Sequence, residues 1–131
     1  MSFNQNQAGA SYGVRLKPYR DTVDKLTIGV GRNLDDAGLS EEEAFYLLDN
    51  DIQKITAQLK TIPTYCNLDP RKQIALADMA FNLGFHGILR FQHMWAALEA
   101  GDCVEAAKEM LNSTWAAKAP NRARELASLV K

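Results

Sequence analysis

Two carboxylates and a threonine hydroxyl lie close together near the start of the chain, at Asp21, Asp24 and Thr27. Carboxyl groups can donate and accept protons in a reaction. The same residues also have structural uses, because Asp commonly forms turns at strand ends and Thr is a common strand residue. The residue types leave both readings open for Asp21 and Thr27, and they favour a solvated turn position for Asp24.

The other titratable side chains give no sign of a metal site or a cofactor. His86 and His93 have no Cys or carboxylate at ligand spacing, so we expect them on the surface or in loops. Cys66 and Cys103 lack motif spacing and are expected to be free thiols. The acids at 41–43 suit the start of a helix, where they complement its dipole. We therefore predict neither cofactor nor metal.

The elements that must position these residues predict an α+β fold, a small β-hairpin followed by a helical bundle. Strand formers over residues 18–30, with a turn at 22–25, indicate the hairpin. Ser40 and Glu43 form a capping box at the start of a helix that Pro63 ends. Further helices are predicted at 70–83, closed by Gly84; at 88–100; from the Asp102 cap to about 112; around Trp115; and from Pro120 onward.

Helical spacing also predicts which residues are buried. The helix at 70–83 is apolar on most sides, including Ile74 and Phe81, and is expected to be the central buried helix. We expect core or near-core positions for Met79, Met94, Trp95 and Met110. Residues 1–11 are weak helix formers and are expected to be frayed or only partly helical.

One segment carries a specific resemblance. Tyr12-Gly13-Val14-Arg15-Leu16, then Asp21, then Thr27-Ile28-Gly29, closely resembles the active-site segment of the phage-type lysozymes, glycoside hydrolase family 24. That family has Glu directly before Gly-x-Arg-Leu, Asp nine positions after the Glu, and Thr six positions after the Asp. Asp21 and Thr27 match this pattern, whereas Tyr12 stands at the position of the Glu.

The resemblance extends over nearly the whole chain. Ala80-Phe81-Asn82-Leu83-Gly84 is similar to the end of the family's central helix, and Trp115 with Pro120-Asn121-Arg122-Ala123 is similar to a later element. The resemblance implies a single lysozyme-like domain over 1–131. Its hairpin lobe spans about 14–35 and its helical lobe about 40–131, with a cleft between them. It also implies cleavage of peptidoglycan at the β-1,4 bond between N-acetylmuramic acid and N-acetylglucosamine.

The resemblance also implies roles for single residues. Asp21 would act as base or electrostatic stabiliser beside a water molecule held by Thr27. The implied substrate-binding residues are Asn82, Gly29 and Arg122. For Asn82, capping of the helix C-terminus is an equally good interpretation.

Tyr12 weakens the implied activity. Glycoside hydrolysis needs a carboxylic acid to protonate the leaving oxygen, and a phenol with a pKa near ~10 is a poor substitute. We therefore expect weak or absent hydrolysis. In the family the Arg matching Arg122 pairs with the Glu, so Arg122 is predicted to turn to solvent, to Asp21 or to the Tyr12 ring.

Three functions stay open: an impaired glycosidase, a non-catalytic saccharide-binding or interaction module, and an active enzyme that uses another carboxylate. The expected ligand is peptidoglycan or a chitooligosaccharide. A net charge of −1 over 131 residues gives no general attraction to nucleic acid. No apolar run is long enough to span a membrane, and no signal peptide is recognisable. We expect a monomer, cytoplasmic in a host cell until it is released to the wall.

Overall fold

The structure, a computed structural model, describes residues 13–131 and has the α+β fold that the sequence predicts. The chain forms two compact units that divide between Tyr46 and Leu47. Tyr12 and the segment 1–11, expected to be frayed or partly helical, lie outside the described residues. The organisation of residues 1–131 as one domain stays a prediction.

A three-stranded antiparallel sheet, in the order β1-β2-β3, lies in the first unit. Its strands are β1 (Arg15–Arg20), β2 (Leu26–Gly29) and β3 (Arg32–Asn33). The β1–β2 turn closes where the Asp21 N–H donates to the Lys25 carbonyl at 3.0 Å. Asp24 takes a left-handed φ of +61°, which Asp tolerates better than most residues. The predicted hairpin is confirmed, although β1 begins earlier than expected and β3 has no clear sequence signal.

Helix α1 (Glu41–Leu59) starts with the predicted capping box. The Glu43 N–H donates to Ser40 Oγ at 3.1 Å, and the Ser40 N–H donates to Glu43 Oε1 at 2.9 Å. Arg32 also donates to both carboxylate oxygens of Glu43, with Nη1 to Oε1 at 2.8 Å. The hydrogen bond from Arg32, followed by those from Ser40, lowers the pKa of Glu43 to about 2. These contacts tie β3 to the first turn of α1.

The helices that follow α1 form the second unit together with the C-terminal part of α1. They are α2 (Pro63–Cys66), α3 (Pro70–Leu83), α4 (Phe85–Leu89), α5 (Gln92–Glu99), α6 (Cys103–Leu111), α7 (Thr114–Lys118) and α8 (Pro120–Val130).

Local capping defines the ends of some of these helices. Asp69 accepts from the Lys72 N–H at 3.0 Å at the start of α3, with Pro70 at the first helical position. Asp102 caps α6 in the same way, accepting from the Glu105 N–H at 3.1 Å. Both caps confirm the sequence predictions, and so does the end of α3 at Gly84, which has a φ of +79°.

Two predicted helix boundaries are wrong. The helix predicted at 88–100 is broken between α4 and α5, where Phe91 leaves helical geometry with a ψ of 59°. Its ring instead packs edge to face on Trp115, with the centroids 6.4 Å apart. Pro63 does not end the long helix, because α1 ends at Leu59 and Pro63 begins α2.

The core of the second unit lies around α3. The largest fully buried side chains are Leu59, Leu76, Met79, Ile88, Met94, Met110 and Val130. The core positions predicted for Met79, Met94 and Met110 are confirmed. The burial predicted on most sides of α3 is wrong in part, because Ile74 is 65% exposed and Phe81 is 44% exposed. These two apolar residues line an open groove.

Candidate functional site

The backbone of Lys25 holds Asp21 and Thr27 together. Its carbonyl accepts from the Asp21 N–H at 3.0 Å and from the Thr27 hydroxyl at 2.9 Å. Its N–H donates to Asp21 Oδ1 at 2.8 Å. Thr27 pairs with Tyr19 across the β1–β2 ladder, so its position is fixed by the sheet. Two residues six positions apart thus meet at the backbone of Lys25.

The oxygen atoms of Asp21 and Thr27 that keep free acceptor capacity determine how the pair could bind a ligand. Asp21 Oδ1 also accepts from the Val23 N–H at 3.0 Å, while Oδ2 accepts no hydrogen bond from the rest of residues 13–131. The Thr27 hydroxyl gives its proton to Lys25, which leaves its oxygen lone pairs as acceptors. Thr27 is only 3% exposed, so a water molecule bound there would be shielded from bulk solvent. Both the turn role of Asp21 and an acceptor role toward a ligand fit this geometry.

Gly29 ends β2 with a φ of +71°, a conformation that a side chain would strain. A Cβ added there would meet no described heavy atom within 4 Å, so the backbone at Gly29 is open to a neighbour. Tyr12, the residue at the family's acid position, lies outside the described residues.

In the second unit, Arg122 pairs with Asp78. Arg122 Nη1 lies 3.0 Å from Asp78 Oδ1 and 3.2 Å from Oδ2. The side chains are 48% and 37% exposed, so the pair is partly solvated. The prediction that Arg122 lacks a close carboxylate partner and turns to solvent or to Asp21 is therefore wrong, and the predicted contact with the Tyr12 ring lies outside the described residues. The physical reason is that α3 supplies a carboxylate directly opposite the guanidinium, and a charge with a partner close by does not stay alone.

Asn82 is bound to the same aspartate. Its Nδ2 donates to the Asp78 carbonyl at 2.9 Å and to Asp78 Oδ1 at 3.3 Å. Gly84 supplies the C-cap of α3, and the Asn82 side chain bonds back within the helix rather than capping its end. Asp78 thus brings together two predicted substrate-binding residues. The sequence analysis missed Asp78, although its spacing of four from Asn82 on a helix was a readable signal.

The ion pair borders an apolar groove of about 540 Å³ in the second unit. Ile52, Ile74 and Phe81 line it together with Asp78 and Arg122. Asp78 and Arg122 supply charge at an otherwise mainly apolar surface.

Elsewhere in the described residues the chemistry is sparse. No group of three or more His, Cys, Asp or Glu side chains within 13–131 could hold a metal ion. Cys66 and Cys103 are free thiols, the first exposed and the second partly buried. Over the same residues no helix has both the length and the apolar character needed to cross a membrane.

Comparison with known proteins gives consistent similarities. The family model described as phage lysozyme matches residues 9–131. The chain is 30% identical to a "probable T4-type lysozyme 1" of Dictyostelium discoideum, over 91% of this chain and 88% of that protein. A second protein of that organism, "probable T4-type lysozyme 2", is 28% identical over 89% and 86% of the two chains. The pre-baseplate central spike protein Gp5 of Enterobacteria phage T4 is 26% identical over 90% of this chain and 26% of its own length.

Proposed function

The chain belongs to the phage lysozyme family, and we propose that it acts on peptidoglycan through Asp21 and Thr27, with hydrolysis strongly impaired by Tyr12. The observation that carries this proposal is the set of hydrogen bonds at the Lys25 backbone: its N–H donates to the Asp21 carboxylate, and its carbonyl accepts from the Thr27 hydroxyl. Thr27 is buried at this turn, and its hydroxyl oxygen keeps acceptor lone pairs that a ligand or water molecule could use.

The proposed reaction is hydrolysis of the β-1,4 bond between N-acetylmuramic acid and N-acetylglucosamine, as in glycoside hydrolase family 24. Water adds its hydroxyl to the anomeric carbon, and a proton goes to the oxygen of the leaving sugar. Thr27 accepts a hydrogen bond from the water. Asp21 Oδ2 accepts the proton that the water loses or stabilises positive charge on the sugar ring.

The missing part of this chemistry is the acid. Tyr12 stands at the position where the family carries Glu, and its phenol holds its proton too tightly to protonate the leaving oxygen efficiently. General acid–base assistance is typically worth about 10²- to 10⁴-fold in rate. The hydrolytic rate should fall short of that of a carboxylate variant by at least the lower figure.

Further contacts to the polymer come from Gly29, Asn82 and Arg122. Gly29 offers open backbone at the end of β2, and Asn82 and Arg122 offer an amide and a guanidinium on α3 and α8. In this proposal the protein needs no cofactor, works as a monomer, and reaches the wall from the cytoplasm of a host cell in the manner of a phage endolysin.

The second candidate is a catalytically inactive saccharide-binding or interaction module, and Tyr12 favours it specifically. The two candidates share the ligand and differ in turnover. A binding module retains peptidoglycan without cleaving it, whereas an impaired enzyme cleaves it slowly and depends on Asp21.

The test combines binding with turnover. Cosedimentation with purified peptidoglycan measures binding, and loss of turbidity of outer-membrane-permeabilised Gram-negative cells measures hydrolysis. Asp21→Asn is the active-site variant, and Asp49→Asn, a change of the same charge on exposed α1, is its control. Slow clearing that only Asp21→Asn abolishes supports the impaired enzyme, and binding without clearing supports the module. A folded protein that neither binds nor clears would overturn both, and clearing that survives Asp21→Asn would remove Asp21 from the mechanism.

A further inference from the structure

We propose that Asp78 is a positioning residue that fixes Asn82 and Arg122 as a recognition pair for the acetamido group of an N-acetylhexosamine. The inference rests on the proposed function and deepens it, because it assigns the specificity of the second unit to a residue that the sequence motifs do not include. Its basis is the pattern of hydrogen bonds around one carboxylate.

The orientation of the Asn82 amide follows from the chemistry of its neighbour. Both atoms that Asn82 contacts, the Asp78 carbonyl oxygen and Asp78 Oδ1, are acceptors. Only the NH₂ end of the amide can donate to them, so the amide oxygen must point the other way. That oxygen has no donor among residues 13–131. Asp78 therefore presents Asn82 as a fixed, unoccupied acceptor.

Asp78 also fixes the position of the Arg122 guanidinium. A single terminal nitrogen, Nη1, reaches both carboxylate oxygens. The N–H groups of Nη2 and Nε donate to no other described residue, and the side chain is 48% exposed. A single oxygen, Asp78 Oδ1, thus accepts from both Asn82 Nδ2 and Arg122 Nη1, which brings the amide and the guanidinium to one carboxylate. An acetamido group has the complementary pair, an N–H that donates and a C=O that accepts.

A purely structural role explains this cluster poorly. An ion pair with both partners this exposed contributes little to folding stability. Asn82 itself is exposed in the last turn of α3 and is not part of the buried core. The arrangement nevertheless uses three polar side chains on two helices, at the edge of an apolar groove where Phe81 lies exposed.

The test compares two neutral β-1,4 oligosaccharides that differ in the acetamido group, N-acetylchitotetraose and cellotetraose. Affinities are measured by NMR titration of the intact protein. Asp78→Asn keeps the size of the side chain but removes the negative charge that pairs with Arg122, and it replaces one of the two acceptor oxygens that Asn82 and Arg122 contact with an NH₂ group. Asp49→Asn is the matched control, because Asp49 Oδ2 accepts from the Gln53 amide at 3.0 Å in an equivalent contact one helical turn apart. Thermal unfolding of each variant shows that it is folded.

We expect Asp78→Asn to lower the preference for N-acetylchitotetraose over cellotetraose by about 10-fold, the effect of one well-placed hydrogen bond to a ligand. Asp49→Asn should leave the preference within 2-fold, on the order of experimental error. Asn82→Ala should also lower the preference, and the double variant should lose less than the sum of the two single losses, because Asp78 acts in part through Asn82. An unchanged preference in Asp78→Asn, or fully additive losses, would overturn the positioning role. Absence of binding to peptidoglycan by the unmodified protein would instead overturn the proposed function itself.

Discussion

Replacing Thr27 by Val separates a structural threonine from a functional one. Val keeps the shape and the strand preference of Thr while removing the hydroxyl. The structure sets the stability cost, because the lost hydrogen bond is the single 2.9 Å bond to the Lys25 carbonyl. That carbonyl keeps its bond from the Asp21 N–H at 3.0 Å, so no buried acceptor is left without a partner. We expect a loss of about 1 kcal/mol and a fall in Tm of about 3–5 °C for a domain of this size.

The effect on hydrolysis should be far larger than the effect on stability. If Thr27 holds the attacking water, its loss should lower the rate by at least about 100-fold. The rate is measured as reducing ends released from peptidoglycan in the Tyr12→Glu background, where turnover is expected to be measurable. Thr27→Ser is the matched control, since it keeps the hydroxyl and removes the methyl group. It should cost about 1 kcal/mol in packing yet retain most of the activity.

The reasoning is refuted if Thr27→Val hydrolyses as fast as its parent. It also fails if Thr27→Val and Thr27→Ser lose activity equally, because the methyl group rather than the hydroxyl would then be responsible. An unfolding free energy lowered by more than about 3 kcal/mol in Thr27→Val would show that the hydroxyl supports more of the sheet than one bond allows.

Three further predictions concern stability. Glu43→Gln should lower the free energy of unfolding at neutral pH and make it depend less on pH under acidic conditions. The pKa of Glu43 is lowered to about 2 from the ordinary value of 4.5. The stabilisation from the carboxylate is therefore complete above pH 4.5 and is lost as the pH falls toward 2. Chemical denaturation from pH 7 to pH 2 measures it, and parallel pH profiles for parent and variant would contradict it. Asp24→Gly should be within about 1 kcal/mol of the parent, while Asp24→Val should lose about 1–2 kcal/mol, because a β-branched residue is strained at the left-handed φ of this position; equal stability of the two would argue against that strain. Met79→Ala should lose about 2–5 kcal/mol, since its side chain is fully buried, and a loss below about 1 kcal/mol by urea denaturation would show that the α3 core is loosely packed.

The parts of the fold that could be predicted are those that local chemistry decides. The Ser40–Glu43 box and the Asp69 and Asp102 caps involve residues three positions apart, so their bonds can be read from the chain alone. The break between α4 and α5 could not be read in this way, because Phe91 leaves the helix to pack on Trp115, which lies far along the sequence.

In the candidate site, too, contacts between residues close in sequence could be predicted, and contacts between distant residues could not. Asp21, Lys25 and Thr27 lie within one hairpin, and the structure brings them together as a short turn requires. The partner of Arg122 lies 44 positions away on another helix, and no periodicity or motif links the two. Contacts between distant helices are set by packing of the whole unit, so the pairing of Asp78 with Arg122 could not be predicted from the sequence, although the contact of Asp78 with Asn82 could have been.

The most direct test of the central claim is the rate of peptidoglycan hydrolysis by Tyr12→Glu beside that of the unmodified protein. In the proposed site, Asp21 and Thr27 supply the base and the water-binding group, and only the general acid is missing. We expect Tyr12→Glu to hydrolyse at least about 100-fold faster than the unmodified protein, and the addition of Asp21→Asn to abolish the gain. Equal rates with and without the glutamate, in a folded protein that binds peptidoglycan, would contradict the claim.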